Sequence, residues 1–513
     1  NMTLIKNTLY NLIMSINKNN IFIQSPDESA ITYGELLNYI DKTFYQLSSL
    51  NIQKGERIAI ALGNGSAMAS TFIAIASNYT SCPLNPSFTK EEFKFYYDDL
   101  KVKAVIIEEN QLVNAREAAK ELDIRIINLK TKTTSDFIKL DVEINANIES
   151  YFPNINQDDA AMILHTSGTT SRPKMVPLTH KNLMTSARNI STTLNLNEND
   201  KCLNIMPMFH IHGLIAAILA PIYQSGSIIT PSGFDALKFF RWIEEFKPTW
   251  YTAVPTMHQA ILSRAPRNIE TIKNNPLKFI RSSSASLPSI VMKNLEQTFN
   301  TCVIESYGMT EATHQMTSNP LPPSIRKSGS VGLAAGPEVA LLCKGKIINN
   351  DQNNRNIPGQ IIIKGENVTK GYINNPKANT ESFLDGWFLT GDEGTFDKDG
   401  YLIITGRLKE IINRGGEKIS PQEIDEILMD NESIQQAVAF SVPHEKLGED
   451  LYAAVVLKDN AMIKEDDLKA YCKNRLTKFK IPRKILIIDS IPKGATGKLQ
   501  RIGLYKKLGI KIK

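Results

Sequence analysis

The chain has 513 residues, 42% of them hydrophobic and 22% charged, which is typical of a globular protein with two or more domains. Its 59 basic residues exceed the 53 acidic ones, giving a net charge of +6, and they are scattered along the whole sequence. This even distribution argues against a nucleic-acid-binding surface.

The cysteines and the apolar stretches bear on the compartment. The five cysteines are far apart and include no C-x-x-C pair, which argues against a zinc ribbon or a disulfide framework and favours a reducing environment. The amino-terminal segment NMTLIKNTLYNLIMSINKNN contains no long apolar run, and GLIAAILAPIY is too short to span a bilayer. We therefore expect a cytoplasmic protein without a signal peptide or a transmembrane segment.

Strands and helices are predicted to alternate through most of the chain. The segment SAMASTFIAIAS has the apolar spacing of a helix. The short apolar runs that predict strands are ERIAIAL, KAVIIEE, IRIINLK, DAAMIL and KCLNIMP. Alternation of this kind predicts an α/β architecture with parallel sheets.

The pattern changes beyond about residue 340. QIIIKG and GTFDKDGYLIITGR, with their Gly and Asp turns, predict a β-rich subdomain with hairpins. Farther on, SPQEIDEILMDN and KEDDLKAYCKNRL predict helices, the first capped by Ser420, and AVAFSVPHEKLGEDLYAAVVLK predicts two strands. We therefore expect a large N-terminal domain, residues 1–406, with layered α/β subdomains and a β-rich subdomain. A small, mobile α+β C-terminal domain, residues 407–513, is expected to follow it.

Two glycine-rich segments resemble nucleotide-binding motifs. GNGSAM, from Gly63, begins like the dinucleotide motif G-x-G-x-x-G but has Met68 at the third glycine, so it is a weak candidate. GATGKL, from Gly494, has too few residues between its glycines and carries Leu499 where a P-loop needs Ser or Thr. The second segment is therefore not a Walker A loop.

The segment HTSGTTSRPK, residues 165–174, follows the strand-like DAAMIL and contains almost nothing to bury. Hydroxyls and backbone N–H groups on such a small-residue turn can surround phosphate oxygens. Lys174 adds a point charge, and Pro173 stiffens the approach to it. The alternative interpretation of a loop rich in Ser and Thr is a solvated surface turn.

The order T-S-G-T-T-x-x-P-K resembles a motif of the adenylate-forming superfamily of acyl-CoA synthetases, luciferases and peptide-synthetase adenylation domains. Four more segments agree with that family in order and spacing: YGMTE at 307–311, TGDEG at 390–394, GRLKEIINRGGEKISP at 406–421 and PKGATGKL at 492–499. The resemblance covers nearly the whole chain. It implies that a carboxylate attacks the α-phosphate of ATP to give an acyl-adenylate and pyrophosphate, and that the thiol of coenzyme A then attacks the acyl carbonyl.

The same resemblance implies which residues bind ATP and Mg²⁺. The loop from Thr166 to Lys174 would hold phosphates, Tyr307 would stack on adenine, and Asp392 would accept hydrogen bonds from the ribose. Glu311, with Thr166 nearby, would hold Mg²⁺, for which a hard carboxylate ligand is suitable. The implied ATP-binding residues are Thr166, Ser167, Gly168, Thr169, Thr170, Lys174, Ser284, Ala285, Ser286, Glu305, Ser306, Tyr307, Gly308, Met309, Thr310, Asp392, Arg407 and Lys498.

Lys498 is the implied catalytic lysine, which would stabilise the charge that develops between the carboxylate and the α-phosphate. Glu311, Thr166 and His210 complete the implied catalytic set. Taken outside the motif set, Asp392 could be a turn aspartate and Lys498 a surface lysine.

The resemblance also implies that the C-terminal domain rotates between the two half-reactions. Lys409 occupies the hinge position, two residues beyond Arg407. The rotation would withdraw Lys498 and bring RGGEKIS to coenzyme A. The glycines of that segment would permit close approach of the backbone to the ligand. The implied coenzyme A contacts are Arg414, Gly415, Gly416 and Glu417. The alternative is a plain Gly-Gly turn before a helix.

Polar side chains occupy the segments that line the acid pocket in this family: His210, His212, Ser283, Ser284 and His314. Against a hydrocarbon tail their donors would be unpaired, at about 1–3 kcal/mol each. A second carboxylate would satisfy them, and a protonated histidine would gain a charge-assisted bond. A metal site at the first two histidines is disfavoured because no third ligand is near them in sequence.

These segments most resemble those of oxalate–CoA ligases, which implies oxalate as the acid. Two residues depart from that resemblance: Met175 stands where relatives usually have glycine, and Gly308 stands where the most similar ones have alanine. Malonate, another small acid and a medium- or long-chain fatty acid remain alternatives. So do an adenylation enzyme that loads a carrier protein, a luciferase-like oxygenase and a catalytically silent binding protein.

Overall fold

A computed structural model describes residues 6–131, 138–144, 154–166, 172–493 and 499–512. The described residues form two large α/β sheets, an antiparallel sheet and a smaller C-terminal sheet. This arrangement confirms the predicted fold class, a large N-terminal α/β body with a β-rich part and a small C-terminal unit. Among the described residues, no helix combines the length and the apolar character that crossing a membrane requires.

The seven-stranded sheet is parallel at its centre and antiparallel at both edges. Its strands, in spatial order, are Ile138–Leu140, Arg125–Thr131, Ala104–Glu108, Arg57–Ala61, Thr80–Pro83, Ala160–His165 and Met175–Thr179. The central strands are buried on both faces, as apolar runs without alternation predict.

The nine-stranded sheet carries most of the predicted site segments. Its strands, in spatial order, are Leu333–Ala334, His314–Ser318, Val303–Met309, Phe279–Ser282, Trp250–Ala253, Lys201–Asn204, Ser227–Ile229, Ile21–Gln24 and Ile31–Thr32. The six neighbours from Val303–Met309 to Ile21–Gln24 run parallel. Helix Ser66–Asn78 is buried on nearly all sides in the hydrophobic core that the two large sheets share, which explains its almost wholly apolar and small residues.

The β-rich part is an antiparallel sheet of the strands Lys346–Asn349, Glu338–Cys343, Gly359–Lys364, Trp387–Phe396, Phe383–Leu384 and Leu402–Arg407. The C-terminal sheet contains Glu417–Ile419, Ile412–Arg414, Gly448–Leu457, Ile434–His444 and Lys484–Ile487. Arg407 is therefore the last residue of the antiparallel sheet, and the C-terminal sheet begins at Ile412.

The helices cover these sheets. The α-helices are Leu9–Met14, Tyr33–Ser49, Ser66–Asn78, Lys90–Leu100, Val113–Glu121, His180–Thr193, Ala220–Tyr223, Phe239–Phe246, Pro255–Arg264, Ile269–Asn274, Ser289–Phe299, Pro376–Ser382, Pro421–Met429, Glu465–Lys473 and Leu504–Lys507. A π-helix spans His212–Leu219, and short 3₁₀ turns span Ala265–Arg267, Thr310–Ala312, Gln352–Asn354 and Lys478–Lys480.

One local prediction is wrong. Helix Pro421–Met429 begins where the sequence predicts, but the Ser420 side chain does not cap it. The Ser420 hydroxyl donates instead to the backbone carbonyl of Thr405, which lies in the antiparallel sheet. The serine therefore ties the C-terminal unit to that sheet, a contact that a helix-capping pattern cannot reveal.

The C-terminal unit packs against the nine-stranded body. Leu295, on the body, and Ile424, on the C-terminal unit, belong to one continuous hydrophobic cluster. The Gln259 side-chain amide also donates to the Gln435 carbonyl at 2.9 Å across this boundary. The described arrangement thus places the C-terminal unit at the edge of the sheet where the parallel strands end.

Candidate active site

A cavity of about 250 Å³ lies at the carboxyl ends of the parallel strands in the nine-stranded sheet. Ligands bind at this edge of α/β sheets because the loops that follow neighbouring strands converge there. The sequence-predicted ATP residues that line the cavity are 284–286, 305–309, Asp392 and Arg407. Four motifs that are far apart in the sequence therefore meet in one cavity.

Tyr307, Asp392 and Arg407 form a connected group on its wall. Asp392 and Arg407 are direct partners on neighbouring antiparallel strands, and Arg407 Nε lies 3.4 Å from Asp392 Oδ1. The Tyr307 hydroxyl donates to Asp392 Oδ2. Burial and the neighbouring Asp392 carboxylate raise the pKa of Tyr307 well above its ordinary value, so the phenol stays protonated and can keep donating.

Glu305 is a buried carboxylic acid on the same wall. Burial raises its pKa to about 8, and the nearby Glu426 of the C-terminal unit acts in the same direction. The Leu287 backbone N–H donates to Glu305 Oε1 at 2.9 Å and partly offsets the shift. The carboxyl is therefore poised to change protonation near neutral pH when the cavity or the C-terminal unit rearranges.

The phosphate loop is closed at its base. The Thr166 backbone N–H donates to the Lys174 carbonyl at 2.9 Å, and the Lys174 N–H donates to Thr166 Oγ1 at 3.2 Å. These paired bonds hold the two ends of the loop together. Ser167, Gly168, Thr169 and Thr170, which the sequence also predicts as phosphate ligands, lie outside the described residues.

Tyr372, which the sequence analysis did not identify, joins this loop to the predicted metal ligand. Its hydroxyl donates to Glu311 Oε1 at 2.8 Å, and Lys174 Nζ lies 4.8 Å from the centre of its ring. Burial, with the adjacent Glu311 carboxylate, raises the pKa of Tyr372, so the hydroxyl remains a donor. Lys174 and Glu311 therefore contact the same tyrosine. Glu311 lies two residues after Met309, which lines the cavity, so this contact is at the cavity's edge.

Asp99 anchors the loop from outside. It lies near the end of helix Lys90–Leu100, and its carboxylate is 2.9 Å from His165 Nε2 and 2.5 Å from Arg172 Nη2. Burial lowers the pKa of His165, so its neutral ring donates to the carboxylate. One largely buried carboxylate thus contacts residues on both sides of the phosphate loop. The sequence signal was weak because Asp99 belongs to a helix that is otherwise rich in charged side chains.

The residues predicted to line the acid pocket do not all face the cavity. Ser284 lines the cavity, and its hydroxyl lies 2.9 Å from Nδ1 of the buried His212. Ser283 is buried and donates to the Ser306 carbonyl at 3.1 Å, so it faces the sheet rather than the cavity. His210 is half-buried, and its Nδ1 accepts a hydrogen bond from the His212 backbone N–H at 3.3 Å.

His212 begins a π-helix, so the two histidines do not share the face of a strand. Its ring stacks on the ring of His314, with centroids 4.8 Å apart and planes 21° apart. Both rings also contact Arg281, which the sequence analysis did not identify. Gly308 permits this packing, because a Cβ there would lie 2.2 Å from the His314 carbonyl oxygen.

The predicted coenzyme A residues form the turn of an exposed hairpin away from the cavity. Gly415 and Gly416, with φ of 59° and 92°, connect the strands Ile412–Arg414 and Glu417–Ile419. Positive φ at both turn residues is the geometry that glycine adopts without strain. The Arg414 side chain is engaged within the C-terminal unit, with Nε 2.8 Å from Asp450 Oδ1, and Glu417 is exposed.

The C-terminal unit instead presents a different segment to the cavity. Leu499 and Arg501 line it, whereas Lys498 lies outside the described residues. Arg501 Nη1 donates to Asp425 Oδ2 at 2.7 Å, and Arg501 Nε lies 3.3 Å from Glu410 Oε2. Glu410 follows the exposed Lys409, so this network links the segment after Lys498 to the predicted hinge position.

Comparison with known proteins identifies the family. Residues 16–373 match the AMP-binding enzyme family, and residues 423–498 match the AMP-binding enzyme C-terminal domain. The chain belongs to the AMP-binding enzyme family. It is 43% identical to the oxalate–CoA ligase of Arabidopsis thaliana over 92% of each chain, and 36% identical to the oxalate–CoA ligase of Saccharomyces cerevisiae over 96% of this chain and 95% of that one.

Two solved structures of other proteins share the fold. ATP-bound MatB from Rhodopseudomonas palustris superposes with a TM-score of 0.88 at 27% identity, over 99% of this chain and all of the other. The o-succinylbenzoate coenzyme A synthetase of Bacillus subtilis, in complex with ATP and magnesium, superposes with a TM-score of 0.81 at 26% identity. That match covers 97% of this chain and 99% of the other.

Proposed function

We propose that the protein is an ATP-dependent acid–CoA ligase that activates oxalate as an acyl-adenylate and transfers the acyl group to coenzyme A. The observation that carries the proposal is the cavity in which the predicted nucleotide motifs meet beneath the C-terminal segment 499–501. The similarity to two oxalate–CoA ligases supports the choice of acid.

ATP would lie along the cavity wall. Tyr307 offers a ring to the adenine, and Asp392 offers carboxylate oxygens to the ribose hydroxyls. Arg407 is already paired with Asp392, so it holds that carboxylate in place beside the ribose site. Lys174 and the hydroxyl of Thr166 would bind phosphate oxygens at the closed base of the loop.

The donor set at the edge of the cavity fits Mg²⁺. Glu311 offers a hard carboxylate, and Tyr372 holds one of its oxygens in place. Mg²⁺ needs only one or two protein ligands, because phosphate oxygens and water complete its octahedral shell. We therefore assign Glu311 and Thr166 to the ion, which when bound would neutralise phosphate charge. The complex of the Bacillus subtilis enzyme with ATP and magnesium supports the choice of this ion.

Lys498 would supply positive charge at the reacting atoms during adenylation, because Leu499, the next residue, lines the cavity. Residues 407–513 would then rotate about Lys409, and the Gly415–Gly416 turn would meet coenzyme A. The exposed position of that turn, away from the cavity, is what such a rotation requires in the adenylation arrangement. His210 would border the acid. The five free cysteines support a reducing compartment such as the cytoplasm.

The experiment is a pair of assays on the full chain. Exchange of pyrophosphate into ATP should depend on oxalate, occur without coenzyme A and disappear when Mg²⁺ is chelated. Thioester formation with free coenzyme A should then show the highest kcat/KM for oxalate among oxalate, malonate, acetate and octanoate. Production of ADP and phosphate would reject the adenylate. Preference for octanoate would reject the polar pocket. Acyl transfer only to a carrier protein, or consumption of the adenylate by reaction with O₂, would reject the assignment as an acid–CoA ligase.

A further inference from the structure

Arg281 is a buried cation for which the described part of the chain offers no anionic partner. It lies on strand Phe279–Ser282, and its side chain is fully buried. Its guanidinium contacts neutral groups: Nη1 is 3.3 Å from Thr252 Oγ1 and 3.5 Å from His212 Nε2, and Nη2 is 3.0 Å from His314 Nε2 and 3.4 Å from Gln315 Oε1. No carboxylate among the described residues forms an ion pair with it, and its Nε has no hydrogen-bond partner there.

A charge in this position is costly, because buried charges in proteins are usually paired. Burial lowers the pKa of Arg281 to about 9, which still leaves the guanidinium charged at neutral pH. Arg281 is therefore a positive charge beside the predicted acid pocket that no carboxylate in the described ranges pairs with. Such a charge is stabilised when an anion enters the pocket.

Arg281 also fixes the protonation of both histidines. A guanidinium has only donors, so His314 Nε2 must accept from Nη2 and the His314 proton must reside on Nδ1. Thr252 Oγ1 accepts from Nη1 and can donate its own proton to His212 Nε2, 2.6 Å away. The remaining proton of His212 is then on Nδ1, where it is donated to Ser284 Oγ.

The result is a directional series of donors from Arg281 through Thr252 and His212 to Ser284 on the cavity wall. The Ser284 hydroxyl, which accepts from His212, is left to donate into the cavity. The sequence predicted a protonated histidine as the source of charge. In this arrangement we expect neutral rings for His212 and His314 instead, because an imidazolium cannot accept from Arg281 and a second cation beside the first is unfavourable.

We propose that Arg281 is a positioning residue that makes the acid pocket positive and fixes its donor direction, so that the pocket selects acids that carry a second anionic group. The proposal rests on the proposed function, since it concerns the acid that the ligase activates. Arg281 acts through His212, His314 and Ser284 rather than by direct contact with the reacting carboxylate. It thereby supplies the charge that distinguishes oxalate from acetate.

The first test compares Arg281→Met, which removes the charge, with Arg281→Lys, which keeps it but loses the two-armed donor geometry. For Arg281→Met, kcat/KM should fall about 100-fold with oxalate and far less with acetate, the scale of losing hydrogen bonds to a charged group. Arg281→Lys should recover about 10-fold of that loss. An equal loss for both acids in Arg281→Met would mean that the arginine only supports the fold, and would overturn the proposal.

The pH profile of Arg281→Met gives a readout that a structural defect would not produce. Without the cation, the histidines can protonate, so the ratio of the variant's kcat/KM for oxalate to that of the wild type should rise about 10-fold from pH 8 to pH 6. The titratable groups that face the guanidinium are His212, His314 and the Cys202 thiol, whose pKa burial raises well above this range. A profile parallel to that of the wild type would contradict the proposal.

Two further measurements do not depend on the arginine variant folding, and the first of them does not depend on oxalate either. In ¹⁵N-histidine-labelled wild-type protein, His212 and His314 should show protonated Nδ1 and unprotonated Nε2 from pH 6 to pH 8; the opposite tautomer, or imidazolium signals, would overturn the proposal. Thr252→Val should lower kcat/KM for oxalate about 10-fold, whereas Thr71→Val, a buried threonine in helix Ser66–Asn78, should not. If the wild type prefers malonate to oxalate, the choice of oxalate fails, and the tautomers still decide the role of Arg281.

Discussion

At the scale of single residues, burial outweighs charge pairing in setting the pKa of two acids on the cavity wall, Glu305 and Asp425. Glu305 has no cationic partner among the described residues and is held by one backbone N–H, so its protonated form is favoured. Asp425, by contrast, is paired with Arg501, and burial still raises its pKa to about 6. Stability should therefore depend on pH in the neutral range.

Glu305→Gln tests this dependence. The pKa of Glu305 rises from 4.5 to about 8 on folding, so the native state holds the proton more tightly. The contribution of this group to the free energy of unfolding is therefore lost as pH rises from about 4.5 to about 8. The glutamine keeps an acceptor for the Leu287 N–H and cannot ionise. The variant should be more stable than the wild type at pH 8.5, on the order of 1 kcal/mol or more, and similar to it at pH 5.

Thermal or urea unfolding across this pH range measures the effect. Glu338→Gln, at an exposed position of the antiparallel sheet, is the control and should leave the pH profile unchanged. If Glu305→Gln and the wild type lose stability in parallel between pH 5 and pH 8.5, Glu305 ionises normally in the native state, and burial does not control it.

At the scale of elements, the phosphate loop depends on a helix that the nucleotide motifs do not include. Helix Lys90–Leu100 starts with a capping box between Thr89 and Glu92, which fixes its register. That register places Asp99 against His165 and Arg172. The Asp99 side chain is 11% exposed, so its charged hydrogen bonds are stronger than those of a surface pair.

Asp99→Asn should therefore loosen the base of the phosphate loop. We expect KM for ATP to rise about 10-fold, since losing a charged hydrogen bond costs about 1.5–3 kcal/mol. Asp98→Asn is a matched control on the same helix, because Asp98 pairs only with the exposed Lys101 among the described residues. Pyrophosphate exchange at varied ATP concentration measures both variants. Equal KM values for the two would show that the anchor is not needed.

At the scale of the whole molecule, the described arrangement has residues 499–501 at the cavity and the Gly415–Gly416 turn away from it. Arg501 bridges Asp425 and Glu410, so the segment after Lys498 and the helix Pro421–Met429 are connected to the residue that directly follows the predicted hinge position. A unit that is connected in this way can present a different face to the cavity by rotating as one body.

Rotation of that unit predicts that two variants damage different half-reactions. Lys498→Ala should slow adenylation by at least about 10²–10³-fold, the scale of one preorganised donor, and leave thioester formation from supplied oxalyl-adenylate nearly intact. Gly416→Leu should do the reverse. Gly345→Leu controls for strain, because Gly345 also lies in a hairpin turn with positive φ and open space. Single-turnover assays of each half-reaction decide; equal damage to both halves by Lys498→Ala would reject the rotation.

The sequence by itself determined the features that depend on neighbouring residues. The apolar runs became strands such as Arg57–Ala61 and Ala104–Glu108, and the glycine pair became a hairpin turn, because pleat alternation, burial and backbone freedom act over a few residues. The five motifs were sufficient to predict the family, and the polar segments of the acid pocket gave the resemblance to oxalate–CoA ligases. The domain boundary, the hinge and the roles of the individual site residues stay predictions.

Only the tertiary structure decided which polar side chains meet. Tyr372 reaches Glu311, Asp99 contacts His165 and Arg172, and Ser420 donates to Thr405, all between elements that the sequence separates. Arg281 is the clearest case: next to a serine-rich loop it resembles a surface residue, yet the strand places it under two histidines from other elements. Hydrogen bonds and desolvation depend on what lies within a few ångströms in space, and that proximity is set only when the sheets and helices have packed.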